Sequence, residues 1–431
     1  MKRTIQILLG RTTAHLMLLT RSRSIAFPAA IVLTITIAIG SIAQESPARK
    51  AESAAPKSAK SNDSGEETPV ADAKDEWRLF RGDPAFHAHR DVEISRSPRL
   101  LFRHDTGERT SSSPTIAAGR IYIGTESGKL LAFGLEPREG KAEALFTYEA
   151  ESAIRASPSF HEGRLYFGDM FGVFHCVDAT TGKQEWKLDT QGSEIIASAN
   201  FFKDSKGRDL VIFGTYDGLL WAVDARKGEE VWTFEAGGPI HASPAISGAT
   251  TCIAGCDESV RIVDLETGKE KAQLPMGAYT PASPVFAGTR IYVGTHASEV
   301  LGFDWKSGEK LWTYQNPRRS FPFSSSPALS GDRLVVGGED KLVHCIDRRT
   351  GDALWTFPTR AKVEASPLIA GKVVIIGSGD KNLYLLELES GKEIWRYEAD
   401  GAFVGSAALA RGRLVATTQS GTILCFDVTS R

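Results

Sequence analysis

FGTYDGLLWAVDARKGEEVWTF, residues 213–234, holds in one stretch the punctuation of the whole chain. A glycine-rich turn leads into a short alternating run that ends at Asp224. A tight turn at Gly228 follows, and then a run carrying Trp232. The acid can accept amide hydrogens from the turn behind it, and a glycine four residues later suits a left-handed hairpin position. A tryptophan on an alternating strand is best used where two sheet faces must be filled.

The arrangement returns around Gly182/Trp186, Gly308/Trp312, Gly351/Trp355 and Gly391/Trp395. It can be counted on a Ser-Pro or Ser-Ala marker at Ser113, Ser157, Ser198, Ser243, Ser283, Ser326, Ser366 and Ser406, at intervals of 40 to 45 residues. Four short apolar runs with Gly/Asp turns between them fill each interval. Leu334–Gly337 and Leu342–Asp347 are two such runs of the sixth unit. That pattern predicts an all-β fold, an eight-bladed β-propeller of four-stranded antiparallel blades. The eighth unit stops after its third strand, and Arg99–Arg103 resembles the fourth strand of a blade. The ring is therefore expected to close on this N-terminal strand, which removes both open edges. Unit 4 carries Ala272 where other units carry tryptophan. Its Cys252 and Cys256 can pair only if a bend brings them together, since a straight strand holds them too far apart, and the third-strand cysteines Cys176, Cys345 and Cys425 read as small buried residues.

Ahead of the repeats, residues 1–43 hold five basic and no acidic residues, with an apolar run over residues 25–42 and small residues before Gln44. This reads as an export signal or a single N-terminal membrane anchor. Residues 44–76, rich in Ala, Ser, Pro, Lys and Glu, have little to bury and read as a flexible linker. The propeller is assigned residues 77–431. With net charge −2 overall and the five leader charges removed, the remainder is acidic, which argues against nucleic acid. Arg81-Gly82-Asp83 reads as a turn, and His87 with His89 lacks an evident third metal ligand.

DATTGKQEW (178–186), DLETGKE (264–270), DWKSGEKLW (304–312) and LESGKEIW (388–395) resemble the quinoprotein-type tryptophan-docking repeat. That repeat occurs in PQQ-dependent alcohol dehydrogenases and in the non-enzymatic assembly lipoprotein of the outer-membrane BAM complex. The resemblance implies a propeller over about residues 98–431 and leaves enzyme and scaffold both open. Family dehydrogenases hold the quinone against a disulfide of two adjacent cysteines, and this sequence has no adjacent cysteine pair. The expectation is an exported, non-catalytic scaffold with no cofactor or bound metal and a protein partner in the cell envelope. The alternatives are a quinone-dependent oxidoreductase of alcohols or sugars and a component of outer-membrane protein assembly.

Two sets of positions are candidates for a site. Residues two before each marker should face the central funnel, and among them Arg155, His241 and Glu364 are ionisable, facing either a ligand or only solvent. In the loops entering units 5 and 6, Tyr279, Phe321 and Phe323 lie beside Arg318 and Arg319. That composition suits a partner-binding patch or, equally, packing between blades.

Overall fold

The computed structural model describes residues 75–430, so the export signal or anchor and nearly all of the linker lie outside the described residues. Those residues form eight antiparallel sheets, each a blade. Blade 2 is typical, with strands Ser159–His161, Arg164–Gly168, Val173–Asp178 and Gln184–Asp189 running outward in order. Middle strands such as Arg164–Gly168 are buried nearly throughout, because neighbouring blades cover both their faces. The fourth strand Gln184–Asp189 alternates between exposed and half-buried residues, as an edge facing water should. No helix of the described residues is long and apolar enough to cross a membrane.

The ring closes as expected. Ile94–Asp105 pairs antiparallel with Thr422–Thr429 and supplies the outer strand of blade 8. Salt bridges from Arg99 to Asp427 and from Arg103 to Asp400 accompany the pairing.

Tryptophans dock blades 2, 3, 5 and 6 onto the blade that follows. The Trp186 Nε1–H donates to Ala225 O (3.1 Å), Trp232 to Leu265 O (3.1 Å), Trp312 to Arg348 O (2.8 Å) and Trp355 to Leu388 O (2.9 Å). In every case the acceptor follows the acid of the neighbouring blade's turn. The indole lies over that turn's glycine: a Cβ on Gly228 would approach Trp186 to 2.7 Å, and one on Gly351 would approach Trp312 to 2.9 Å. Glycine is needed there for contact as well as for its positive φ. The acids cap their turns, as Asp178 Oδ1 does for the amides of Thr180 and Thr181. All five cysteines are free, and burial pushes the Cys176, Cys345 and Cys425 thiols up to about 12.

The marker serines do more than count blades. Each backbone N–H donates to the hydroxyl of the next marker, from Ser113 to Ser157 (3.1 Å) around to Ser366 to Ser406 (3.2 Å). Ser406 N then returns to Ser113 Oγ at 2.9 Å. This buried girdle ties the innermost strands into an unbroken circle.

Asp75 to Arg90 winds around the inside of that circle, on the far side of the girdle from the funnel. Trp77 exchanges both backbone bonds with Ile116 of blade 1. Arg78 O accepts from Phe160 of blade 2, Pro84 O from Ile246 of blade 4, and Ala85 O from Phe286 of blade 5. His87 O and Ala88 O serve Leu329 and Ile369 of blades 6 and 7, and His89–Arg90 adds a fifth, parallel strand to blade 7. The Arg81 guanidinium reaches Pro327 O (2.9 Å), on the opposite side of the ring from blade 2. The segment is thus an axial plug. Arg81 is fully buried, and burial lowers its pKa to about 9 against the opposing charge of Asp83. A turn does form there (Gly82 N to Leu79 O, 2.9 Å), and its arginine is closed to any outside partner. Glu76, assigned to the linker, is buried, and its Oε1 accepts the Ala118 N–H at 2.8 Å.

Candidate functional site

The mouth opposite the plug is built from two loop types in each blade, the turn between strands two and three and the loop that enters the blade. One backbone bond ties them together eight times over, among them Glu126 N to Arg109 O (2.8 Å), Tyr216 N to Glu194 O (2.9 Å), His296 N to Tyr279 O (3.1 Å) and Gly379 N to Lys362 O (3.0 Å). Side chains on this rim are therefore presented from a stiff frame.

The three ionisable funnel positions each have a different local neighbour. Arg155 Nε meets Glu126 Oε2 at 3.0 Å, and the other oxygen of Glu126 accepts the Ser111 hydroxyl at 2.7 Å. Glu364 takes the Lys362 ammonium at 2.8 Å. His241 stands edge-on to Tyr216 with ring centroids 5.1 Å apart. Burial pulls its imidazole below the ordinary value, against the pull of Glu194. The charges of Arg155 and Glu364 are thus each met by a local partner.

The aromatic loops are partly as expected. Tyr279 is 44% exposed and stacks on His296 at 4.2 Å, and Phe321 is 50% exposed. Arg318 is exposed, while Arg319 is anchored by donating from Nη1 to Asp340 O at 2.6 Å. Phe323 has to be removed from the patch, because it is 1% exposed. Its N–H bonds Thr295 O (3.0 Å), and its side chain covers Gly294, where a Cβ would meet it at 2.7 Å. The position three before each marker plays the same part elsewhere: Ile154, Ile195, Ile240, Val363 and Phe403 are all buried over the glycine that ends a second strand. That recurring apolar residue was the available signal. Both entering loops flank one turn of blade 5, Thr295 to Ser298, which gathers Tyr279, His296 and Phe321 around it.

Sequence reasoning missed the turn residues His296, Tyr216 and Phe171, the last 60% exposed. Phe171, Tyr216 and His296 bring aromatic side chains to the rim turns of blades 2, 3 and 5. His175 and His344, at equivalent third-strand positions, are buried. Each bridges a tyrosine hydroxyl of the preceding blade (Tyr148 or Tyr314, 2.9 Å) and an aspartate (Asp169 or Asp340, 3.1 Å). With no open face they act as staples between blades.

The family described as outer membrane protein assembly factor BamB matches residues 141–315 and 315–430. The chain belongs to this family. The solved BamB of Moraxella catarrhalis superposes with a TM-score of 0.64 at 19% identity, covering 77% of this chain and all of that one. The quinohemoprotein alcohol dehydrogenase of Comamonas testosteroni gives 0.70 at 14% identity, over 84% of this chain and 82% of its own. Both likenesses are likenesses of fold. Among curated relatives, quinohemoprotein alcohol dehydrogenase ADH IIB of Pseudomonas putida is 32% identical over 109 residues, which is 24% of this chain and 15% of the relative. BamB of Shewanella oneidensis is 21% identical over 175 residues, or 37% and 43%. The chain thus spans less than half the length of either curated relative.

A quinone cofactor, which the dehydrogenase relatives imply, fits this interior poorly. Such an anion on the propeller axis needs room and unpaired cationic donors. The plug occupies the axis from one side, and at the other mouth Arg155 and Lys362 are already engaged by Glu126 and Glu364. Cys252 and Cys256, the two cysteines nearest in sequence, are free, so no disulfide is present to lie against a quinone.

Proposed function

We propose that this member of the BamB family is a non-catalytic, exported propeller that docks a protein partner in the cell envelope through the aromatic arc of its rim. The reading rests on one observation above the rest. Arg155 and Glu364 at the mouth are paired with Glu126 and Lys362, whereas Tyr279 and Phe321 stand about half exposed on a hydrogen-bonded frame, in loops that also carry Arg318. Rigid aromatics with an adjacent arginine supply contact area at low entropic cost. The BamB relatives are assembly factors by name, and such a role is the narrower form of the same reading. The partner-binding positions are Tyr279, Arg318, Arg319 and Phe321, with His296 added and Phe323 withdrawn.

A second reading, quinone-dependent oxidation of an alcohol or sugar, is favoured by the quinohemoprotein dehydrogenases among the relatives. One purification tests both. Protein incubated with PQQ and calcium is expected to retain no stoichiometric quinone absorbance and to reduce no artificial acceptor with primary alcohols. A crosslinking pull-down from envelope extract is expected to recover one protein that a Phe321→Ala, Arg318→Glu variant loses. Retained quinone with alcohol-dependent turnover would replace the first reading with the second, and capture that the variant leaves unchanged would move the contact off this arc.

A further inference from the structure

On the plug face, the first strand of each blade turns into the second through a short hairpin. The residue that ends the first strand is small in six blades: Ala117, Ser247, Ala287, Ser330, Ala370 and Ala410. In blade 2 it is His161, followed by Glu162. Blade 3 departs as well. Its first two strands, Asn200–Lys203 and Asp209–Gly214, have four and six residues where blade 2 has three and five. The lengthened hairpin brings Asp209 alongside His161. Two independent departures from the repeat thus meet at one junction.

We propose that His161, Glu162 and Asp209 form a divalent metal site of the zinc type that clasps blade 2 to blade 3. One donor atom from each of the three lies within 4.8 Å of the others. The imidazole is fixed by stacking on Phe201, with centroids 4.5 Å apart and planes at 15°. Its Nε2 lies 3.6 Å from Asp209 Oδ1, too far for a hydrogen bond, and is buried with no hydrogen-bond partner at all.

Cations already occupy the two carboxylates. Lys203 Nζ is 2.8 Å from Asp209 Oδ1, and Arg226 Nη2 is 3.0 Å from Glu162 Oε2. Both basic side chains are more than 60% exposed and can swing into water, leaving one nitrogen and two oxygen donors. Three protein ligands and a water complete the tetrahedron that zinc prefers, and an imidazole among them disfavours calcium or magnesium.

The test uses the full chain, stripped with chelator and titrated with Zn²⁺ by calorimetry and with Co²⁺ by visible absorbance. One equivalent is expected to bind. His161→Gln and Asp209→Asn should each weaken binding at least about tenfold. Lys203→Ala should tighten it, because the competing ammonium is gone, whereas a purely structural ion pair predicts no uptake in either protein. Circular dichroism melts establish that each variant folds, and the surface change at Lys203 keeps the test decisive should His161→Gln fail to fold. Absence of saturable uptake by both the parent and Lys203→Ala, or binding unaltered by His161→Gln, overturns the proposal.

Discussion

Trp312→Ala is the most direct trial of the docking scheme. The indole is 8% exposed, lies 5.7 Å from Tyr292 at an interplanar angle of 19°, and donates to Arg348 O at 2.8 Å. Gly302, directly across the strand pair, leaves it room, since a Cβ there would come within 2.4 Å of the ring. Truncation empties a slot walled by two blades, a change worth about 3–5 kcal/mol. That is a fifth or more of the stability of an ordinary domain, about 5–15 kcal/mol. Trp312→Phe keeps most of the ring and gives up the N–H donor, at about 1 kcal/mol. Guanidinium unfolding of the full chain, followed by circular dichroism, should place the midpoints in the order parent, Phe, Ala, with unchanged slopes. Equal losses for Phe and Ala would mean that the hydrogen bond, and not the filled volume, holds the blades. A loss below about 1 kcal/mol for Ala would mean that docking is incidental.

Ser283→Ala removes the acceptor of the Ser243 N–H and opens the girdle at one link, which should cost about 1–3 kcal/mol in the same assay, with Ser283→Thr recovering most of it. A chain beginning at Asp75 should melt cooperatively at the parent temperature, while one beginning at residue 106 lacks both the plug and the closing strand and should not. Equal melting temperatures would refute closure. The hydroxyl of Thr181 holds the Asp178 carboxyl below its usual range, and the side chain of Lys271 does the same for Asp264. A depressed carboxylate stabilises above its unfolded value. The contribution should therefore be complete above about pH 4 and disappear as the pH falls through the folded value, a loss that Asp178→Asn should blunt. Hydrogen exchange should be fastest at the junction of blades 4 and 5. There Ala272 stands in the tryptophan slot, and a Cβ on Gly308 would meet nothing within 4 Å. Uniform protection around the ring would contradict this.

The fold was legible because its signals repeat. One acid, one glycine and one tryptophan at fixed offsets fix a turn and a docking contact, and recurrence turns a weak local preference into a count of blades. The closing strand was legible for the same reason, because an incomplete eighth unit creates a demand that Arg99–Arg103 can meet. The plug was far less so. Trp77-Arg-Leu-Phe80 and Phe86 look like an ordinary start to a domain, and nothing periodic in residues 75–90 shows that their carbonyls serve blades 1 to 7, blade 3 through the Asn200 amide on Pro84 O. The serine girdle was hidden by its own regularity. A small residue before proline reads as turn chemistry, and only the ring of hydroxyl acceptors shows why serine stands there.

The rim illustrates the opposite case. Phe321 and Phe323 differ by two positions in one loop, yet one is half exposed and the other fills the space over Gly294. Composition cannot separate them. The repeat can, because the residue three before the marker is apolar in six units and the one two before is unconstrained. The same reasoning locates what the repeat does not explain. Arg155 and Glu364, at the unconstrained positions, are neutralised by Glu126 and Lys362 and so demand no ligand. His161, at a position that is small in six other blades, with a buried nitrogen and no hydrogen-bond partner, does demand one. In a chain built from copies, a departure that leaves a polar atom unsatisfied is stronger grounds for a site than an ionisable residue in a funnel, because the copies themselves supply the control.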